Sequence, residues 1–352
     1  MELRLWFAFL TLIPLICFAM NEEKAIDTLL SDFARPQSPG AAVIVIKNEK
    51  PVFCKAYGLA NLEKHTPCAT NTNFRLASVT KQFTAMAIMI LAERGSLSLE
   101  DKMTNFFPEF PDYGRVITIR HLLIHASGLL DYEEVMPANI TIPLSDRDVL
   151  YILRHQNKLE FPAGRQFHYS NSGYSLLSLI VEAASGQKFA AFLAQNIFLP
   201  LGMNRSVAYE PGISVVLNRA LGYAKTKDGF EFSDQSSTSA VLGDGGIYSS
   251  VTDLHQWDQA LYTGRLVSQQ MLEQAFTIHS ASSDFEKNGY GFGWYLGEYR
   301  HTKHLWHYGS TCGFSTQIER FPEKKLSVIL LTNRSDAKIK EFPQKIADLY
   351  WR

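Results

Sequence analysis

Residues 74–91 read FRLASVTKQFTAMAIMIL, and the chain on either side is organised around this stretch. It sets Ser78 and Lys81 three residues apart where a polar segment gives way to a long apolar run. On a helix that spacing puts both side chains on one face, with Cβ atoms about 5–6 Å apart. The hydroxyl then lies near the first turn, whose backbone N–H groups have no partner within the helix. A neighbouring amine can deprotonate such a serine, and the free backbone donors can meet an acyl oxyanion.

Ser-x-x-Lys alone is a weak signal, because the chain contains it at Ser78–Lys81, Ser185–Lys188 and Ser335–Lys338. The first is set apart by the residues on its C-terminal side: Ala85, Met86, Ala87, Ile88, Met89, Ile90, Leu91 and Ala92, a run that would keep water from Lys81. A free lysine titrates near 10.4, and a base useful near neutrality needs a drop of roughly three units, about 4 kcal/mol, which burial can supply. The bland alternative is a helix start carrying a solvated lysine.

With 46% hydrophobic and 20% charged residues, the 352-residue chain has ample material for a packed core, and a net charge of −1 gives no reason to expect a nucleic-acid partner. The opening MELRLWFAFLTLIPLICFA carries one basic residue, Arg4, before an apolar run from Leu5 to Ala19. That run is short for a membrane span and ends in the small-residue pattern a signal peptidase reads, so residues 1–19 read as a cleaved secretory signal, with an uncleaved anchor as the alternative. The expected location is periplasmic or secreted, with the mature domain from residue 20 to 352. Removal of the signal leaves Cys54, Cys68 and Cys312, an odd number that rules out a fully paired framework; buried free thiols are expected, with a Cys54–Cys68 bridge as the alternative.

Apolar residues at helical spacing from Glu22 to Phe33 predict an amphipathic helix. Ala41–Ile46 and Val52–Tyr57 read as strands joined through Asn48-Glu49-Lys50, the first apolar enough to be covered on both faces. Ser145–Asp148 has the form of a capping box for a helix through His155, and further helices are expected near Ser172–Ala184, over Phe189–Phe198 with a stop at Pro200 and Gly202, and after Ser250. Strand character returns at Tyr290–Tyr299, Gly313–Phe321 and Leu326–Thr332, before a last helix at about Lys338–Leu349. The pattern implies one sheet assembled from both chain ends, with a mainly helical region inserted at roughly 80–285.

Two clusters bear on Ser78. Phe167-His168-Tyr169-Ser170-Asn171-Ser172-Gly173-Tyr174 holds the only Tyr-x-Asn in the chain; a phenol and an amide two residues apart can face one cavity, one relaying a proton and the other orienting a carbonyl. Trp306 to Phe314 carries His307, Gly309 and Gly313, with glycines suited to a strand edge where backbone approaches a ligand.

In order and spacing, Ser78-Val79-Thr80-Lys81, Tyr169-Ser170-Asn171 and His307-Tyr308-Gly309 resemble the serine hydrolases of the class C β-lactamase and penicillin-binding-protein-like family. Ser38-Pro39-Gly40-Ala41, Leu123-Ile124-His125-Ala126-Ser127-Gly128-Leu129, Phe161-Pro162-Ala163-Gly164 and Gly243-Asp244-Gly245-Gly246 look like the family too, so the resemblance spans nearly the whole mature chain. It implies an α/β (α+β) fold, an antiparallel sheet flanked by helices, with the active site between the sheet and the helical insert. It implies that Ser78 is acylated, that Lys81 and Tyr169 share the proton transfers, and that Asn171, His307, Gly309 and Ser310 contact substrate, the N–H groups of Ser78 and Ser310 forming the oxyanion hole. No cofactor and no metal are implied, and the expected partner is a small-molecule or peptide substrate. Which of Lys81 and Tyr169 is the primary base is left open.

One departure matters: β-lactamase and carboxypeptidase members usually begin the third motif with lysine, and here the place is held by His307. An uncharged histidine there points to ester or amide substrates without a carboxylate, in the manner of esterases or D-amino acid peptidases, rather than to β-lactams or D-alanyl peptides. Lys227-Asp228-Gly229 and Lys287-Asn288-Gly289 offer the lysine pattern but are not followed by the Gly-Phe pair that Gly313 and Phe314 supply. Metal readings fare worse. His301, His304 and His307 are three apart on a strand, which turns neighbours to opposite faces. His121 and His125 enclose no general-base glutamate. A non-catalytic relative binding cell-wall material is the alternative of another class; such a protein would be expected to lose Ser78, Lys81 or Tyr169, and all three are present.

Overall fold

The computed structural model describes residues 12–281, 288–336 and 339–352. Most of residues 1–19, Lys287 and Lys338 therefore lie outside the described residues.

Ala41–Lys47 and Lys50–Tyr57 form a hairpin whose two-residue connection, Asn48 and Glu49, has positive φ at both positions (50° and 71°), the turn that matches strand twist. Ala41–Lys47 also pairs antiparallel with Leu326–Thr332, Ala41 opposite Thr332 and Lys47 opposite Leu326, so the two chain ends meet in one sheet. That sheet has eight strands, in the order Ser280–Ala281, Gly289–Tyr290, Tyr295–Tyr299, Thr302–Thr311, Phe314–Phe321, Leu326–Thr332, Ala41–Lys47 and Lys50–Tyr57. Every pairing in it is antiparallel.

Alternate residues of Ala41–Lys47 feed separate cores. Ala42, Ile44 and Ile46 pack in the large core toward the helices, and Ala41, Val43 and Val45 pack with Ile26, Leu30, Ile346 and Ala347 on the other face. The strand is thus covered on both sides, as its composition predicts. On the large-core side lies the Lys81–Glu93 helix, buried all round from Lys81 to Leu91. A helix apolar on every face has no side to give to solvent and becomes the centre of the packing. Next to the sheet, Asp258 of the Val251–Ala260 helix accepts from Arg320 Nε at 2.6 Å and from Ser327 Oγ at 2.7 Å, a buried ion pair that fastens the helix to two strands.

The Ser145 capping box forms as expected, Asp148 N donating to Ser145 Oγ and Ser145 N to Asp148 Oδ2, and starts the helix Asp146–Arg154. Several boundaries differ. The first helix runs Leu12–Leu29, since no glycine or proline interrupts the chain between Leu15 and Leu29. Tyr290–Tyr299 is two strands, broken at Gly293 (φ 79°), whose Cβ would come 2.8 Å from Lys81 O. Thr302–Thr311 forms a ten-residue strand that its Lys, His, Gly and Ser content concealed. The Phe189 segment continues through a π turn to Leu201 and ends at Gly202 (φ 73°), with Pro200 in the first turn of its last piece, where proline is tolerated. The last helix begins at Phe342. Cys54, Cys68 and Cys312 are free, but none is fully buried: Cys54 is exposed, because its strand is an edge of the sheet, and Cys68 and Cys312 are half-buried.

Candidate active site

The nucleophile turn is held from three sides. Phe74–Arg75 pairs with Ile247–Ser249, and Leu76 N donates to Ile247 O at 2.8 Å. Leu76 O accepts from Thr316 Oγ1 at 2.7 Å, and Thr80 Oγ1 accepts from Ile247 N at 3.2 Å. Ala77, with φ 47°, takes a left-handed conformation disfavoured for a residue with a Cβ, then the chain makes a 3-10 turn over Ala77–Thr80 into the Lys81 helix. Backbone strain of this kind persists only where the surroundings impose it. Ser78, carried on the turn, stays partly open to solvent while Ala77, Val79 and Thr80 are buried.

Lys81 is fully buried, and its amine donates to Ser78 Oγ at 3.1 Å, Asn171 Oδ1 at 2.8 Å and Asp244 O at 3.0 Å. Burial pushes its pKa down to about 8, against the opposing pull of Asp244, Asp131 and Glu133. Asp244 is buried in turn, its carboxyl pushed up by desolvation and held by the Tyr132 hydroxyl, which donates to Oδ2 at 3.0 Å. The other Ser-x-x-Lys with both residues described is ordinary: Ser185 Oγ donates back to Val181 O, and Lys188 pairs with Glu182 at the surface.

Tyr169 and Asn171 arrive from the turn before the Asn171–Ser185 helix. The Lys81 amine lies 4.9 Å from the Tyr169 ring centroid. Burial and Tyr295 hold the Tyr169 phenol well above its usual value, a hydrogen bond with Ser78 acting the other way. Asn171 is spoken for on both sides of its amide, with Oδ1 on Lys81 and Nδ2 donating to Glu133 Oε1 at 3.3 Å, while its backbone N–H donates to Asp131 Oδ2 at 2.7 Å. A small polar recess opens over Ser78, lined by Arg75, Tyr132, Glu133, Asn171, Asp244 and Ser310 among others. Such a site suits acyl transfer: a hydroxyl against a desolvated amine, beside a phenol that stays protonated.

Residues 25–346 match the family described as Beta-lactamase. The chain belongs to the β-lactamase family. Its members include penicillin-binding proteins, amidases and esterases, serine hydrolases on a shared fold. Penicillin-binding protein 4* of Bacillus subtilis (strain 168) is 32% identical over 334 residues, covering 90% of this chain and 73% of that protein. An octameric penicillin-binding protein homologue from Pyrococcus abyssi superposes with a TM-score of 0.79 at 28% identity, over 96% of this chain and 76% of that one. The fold is also that of a D-amino acid amidase from Ochrobactrum anthropi SV3 complexed with L-phenylalanine amide, with a TM-score of 0.78 at 24% identity over 94% and 96% of the two chains.

Within this β-lactamase-family frame, the third motif departs from what the sequence led us to expect. His307 is 1% exposed, and its ring faces inward. Nδ1 lies 2.8 Å from Tyr308 O, which can only accept, so the proton sits there; Nε2, 2.9 Å from the Tyr290 hydroxyl, then accepts. Burial and the Lys81 charge push its pKa down to about 3. With both nitrogens engaged by the protein, His307 braces the pocket wall. At Gly309 a Cβ would sit 2.2 Å from Leu76 O and 3.1 Å from Ala77 Cβ, so the glycine lets the strand pack against the nucleophile turn. Ser310 does line the recess. Its strand is paired to Tyr295–Tyr299 only through Trp306, which leaves the edge from 307 to 311 without a strand partner on that side among the described residues.

Sequence reasoning missed Asp131, Tyr132, Glu133 and Tyr290. Asp131-Tyr132-Glu133 comes one residue after Leu123–Leu129, and two acids beside an aromatic were a signal that could have been read. Tyr290 offered none, being one of 15 tyrosines.

Proposed function

We propose that this protein is a serine hydrolase that forms an acyl-enzyme at Ser78 and acts on esters or amides lacking a carboxylate. The observation that carries the reading is the 3.1 Å contact between the wholly buried Lys81 amine and Ser78 Oγ. In its neutral form the amine can donate two hydrogens, to Asn171 Oδ1 and Asp244 O, and turn its lone pair to the Ser78 hydroxyl. Lys81 therefore takes the serine proton as Oγ attacks the substrate carbonyl, and backbone N–H groups of Ser78 and Ser310 stabilise the oxyanion. Tyr169, protonated because its pKa is raised, passes a proton to the leaving alcohol or amine and regains one from Lys81. Water then cleaves the Ser78 ester by the reverse relay.

Among the described residues the recess holds no cation free of protein partners, which favours substrates without a carboxylate. Lys81 has all three polar contacts filled, and Arg75, 3% exposed, donates to Gly245 O, Gln235 Oε1 and Ser239 O. Glu133 and Asp244 line it with carboxyl groups, both pushed up by burial. A β-lactamase or D-alanyl-D-alanine carboxypeptidase needs a cation for the substrate carboxylate, and the one cation lining the recess among the described residues, Arg75, already spends three of its donors on the protein.

The test is kcat/KM across p-nitrophenyl esters, D-amino acid p-nitroanilides and a chromogenic cephalosporin. Turnover of esters or anilides above the cephalosporin supports the reading, and the reverse order overturns it. We also propose that residues 1–19 direct export and are removed. Mass spectrometry of the exported protein should find a chain beginning near residue 20, and an intact N-terminus in the membrane fraction would contradict this.

A further inference from the structure

The stretch Leu123–Leu129 has no part in the chemistry above, yet it lies against the Tyr169-Ser170-Asn171 turn. His125 O accepts from His168 N at 2.9 Å, and His125 Nδ1 accepts from Ser170 N at 3.1 Å. Further along, Asp131 Oδ2 takes Asn171 N at 2.7 Å, and Ser172 Oγ donates to Leu130 O and accepts from Tyr132 N, both at 2.8 Å. Residues 125–132 thus grip the backbone on both sides of Tyr169 and Asn171. Ser170 Oγ, buried without a partner, adds nothing to hold the turn.

We infer that His125 is a positioning residue, its Nδ1 fixing the Ser170 N–H so that Tyr169 and Asn171 are presented to Ser78 and Lys81. The inference rests on the proposed roles of Tyr169 and Asn171. Because Ser170 N–H is the donor, Nδ1 must carry the lone pair and Nε2 the hydrogen, and that Nε2 is buried with no partner. A buried orphan donor opposes folding, so a ring serving only as packing would be better replaced by an apolar one. The backbone tells the same way: His125 has φ 54°, where a residue with a Cβ is strained and a short polar side chain is tolerated best. Its ring lies tilted 4.3 Å from the Tyr169 centroid and edge-on 4.6 Å from that of Tyr290, the residue that holds His307, so one side chain touches both walls of the site.

Two substitutions separate acceptor from ring. His125→Asn keeps an acceptor near Nδ1 and tolerates the left-handed backbone; His125→Phe keeps the ring and loses the acceptor. With a p-nitrophenyl ester, His125→Phe should lower kcat by about 100-fold, the loss expected from a displacement of roughly 1 Å, with KM within about threefold. His125→Asn should stay within about fivefold of wild type in both. Asparagine falling as far as phenylalanine, phenylalanine keeping wild-type kcat, or a loss confined to KM would each overturn the inference. Should His125→Phe not fold, ¹⁵N NMR of histidine-labelled wild type decides: an Nε2–H tautomer from pH 5 to 9 supports the inference, and an Nδ1–H tautomer sinks it. A wild type inert toward esters, in which the NMR still finds the Nε2–H tautomer, would place the failure in the proposed reaction and not in the role of His125.

Discussion

The Tyr290 hydroxyl donates to His307 Nε2 at 2.9 Å, and this contact holds the buried imidazole in place. The sequence alone suggested that lysine in place of His307 would confer a preference for carboxylate substrates. The structure predicts otherwise: His307→Lys buries an ammonium against a phenol, which should lower stability by more than about 2 kcal/mol and leave the preference unchanged. Between matched esters with and without a carboxylate, the wild type should favour the neutral one, since the neutral His307 offers a carboxylate no charged donor. Thermal melts and kcat/KM for the pair check both points. A tenfold swing toward the carboxylate in a well-folded His307→Lys would show that position 307 reaches substrate.

Lys81 sets the pH dependence. Its pKa is lowered to about 8 by burial, and only the neutral amine can accept the serine proton, so acylation should rise as pH increases through about 8 and level off above it. Lys81→Ala should remove that limb along with about 10²–10⁴ of the rate, and Tyr169→Phe should cost a similar factor. The double variant should lose less than the product of the two, since one relay is broken either way. A pre-steady-state rate that is flat from pH 6 to 9 would mean that Lys81 is not the base.

Gly309 makes a steric prediction. An alanine Cβ would meet Leu76 O at 2.2 Å, and Leu76 O is already fixed by Thr316, so the nucleophile turn has to move. Gly309→Ala should reduce kcat by 10²-fold or more, the scale of a displacement of about 1 Å at the reacting groups, while the far-UV spectrum stays that of the wild type. Activity within threefold would show that the turn yields easily.

The Asp258–Arg320 pair is a stability determinant remote from the chemistry. Both side chains are 1% exposed, and Asp258→Ala strands a buried guanidinium, at a cost of about 3–5 kcal/mol. Urea denaturation measures this, and a change below 1 kcal/mol would mean that Arg320 finds another partner.

What could be read from sequence was set by local rules. The Asn48-Glu49 hairpin, the Ser145 and Ser250 caps and the two-faced Ala41–Lys47 strand each arise from side chains acting on nearby backbone, and all are found. Ser78 and Lys81 meet because three residues of helix bring them together. The inward turn of His307 was illegible, because it depends on Tyr290 from a different strand and on a tautomer fixed by its own neighbour's carbonyl. The Gly309 fit was hidden in the same way: its partner, Leu76, is more than 200 residues distant along the chain.

The most direct test of the central claim is intact-mass measurement after treatment with a fluorophosphonate, with peptide mapping of the adduct. The account predicts one phosphonyl group per chain, on Ser78, none on Ser78→Ala, and no ester turnover by Ser78→Ala. An adduct on another residue, or turnover by Ser78→Ala within tenfold of wild type, would contradict it.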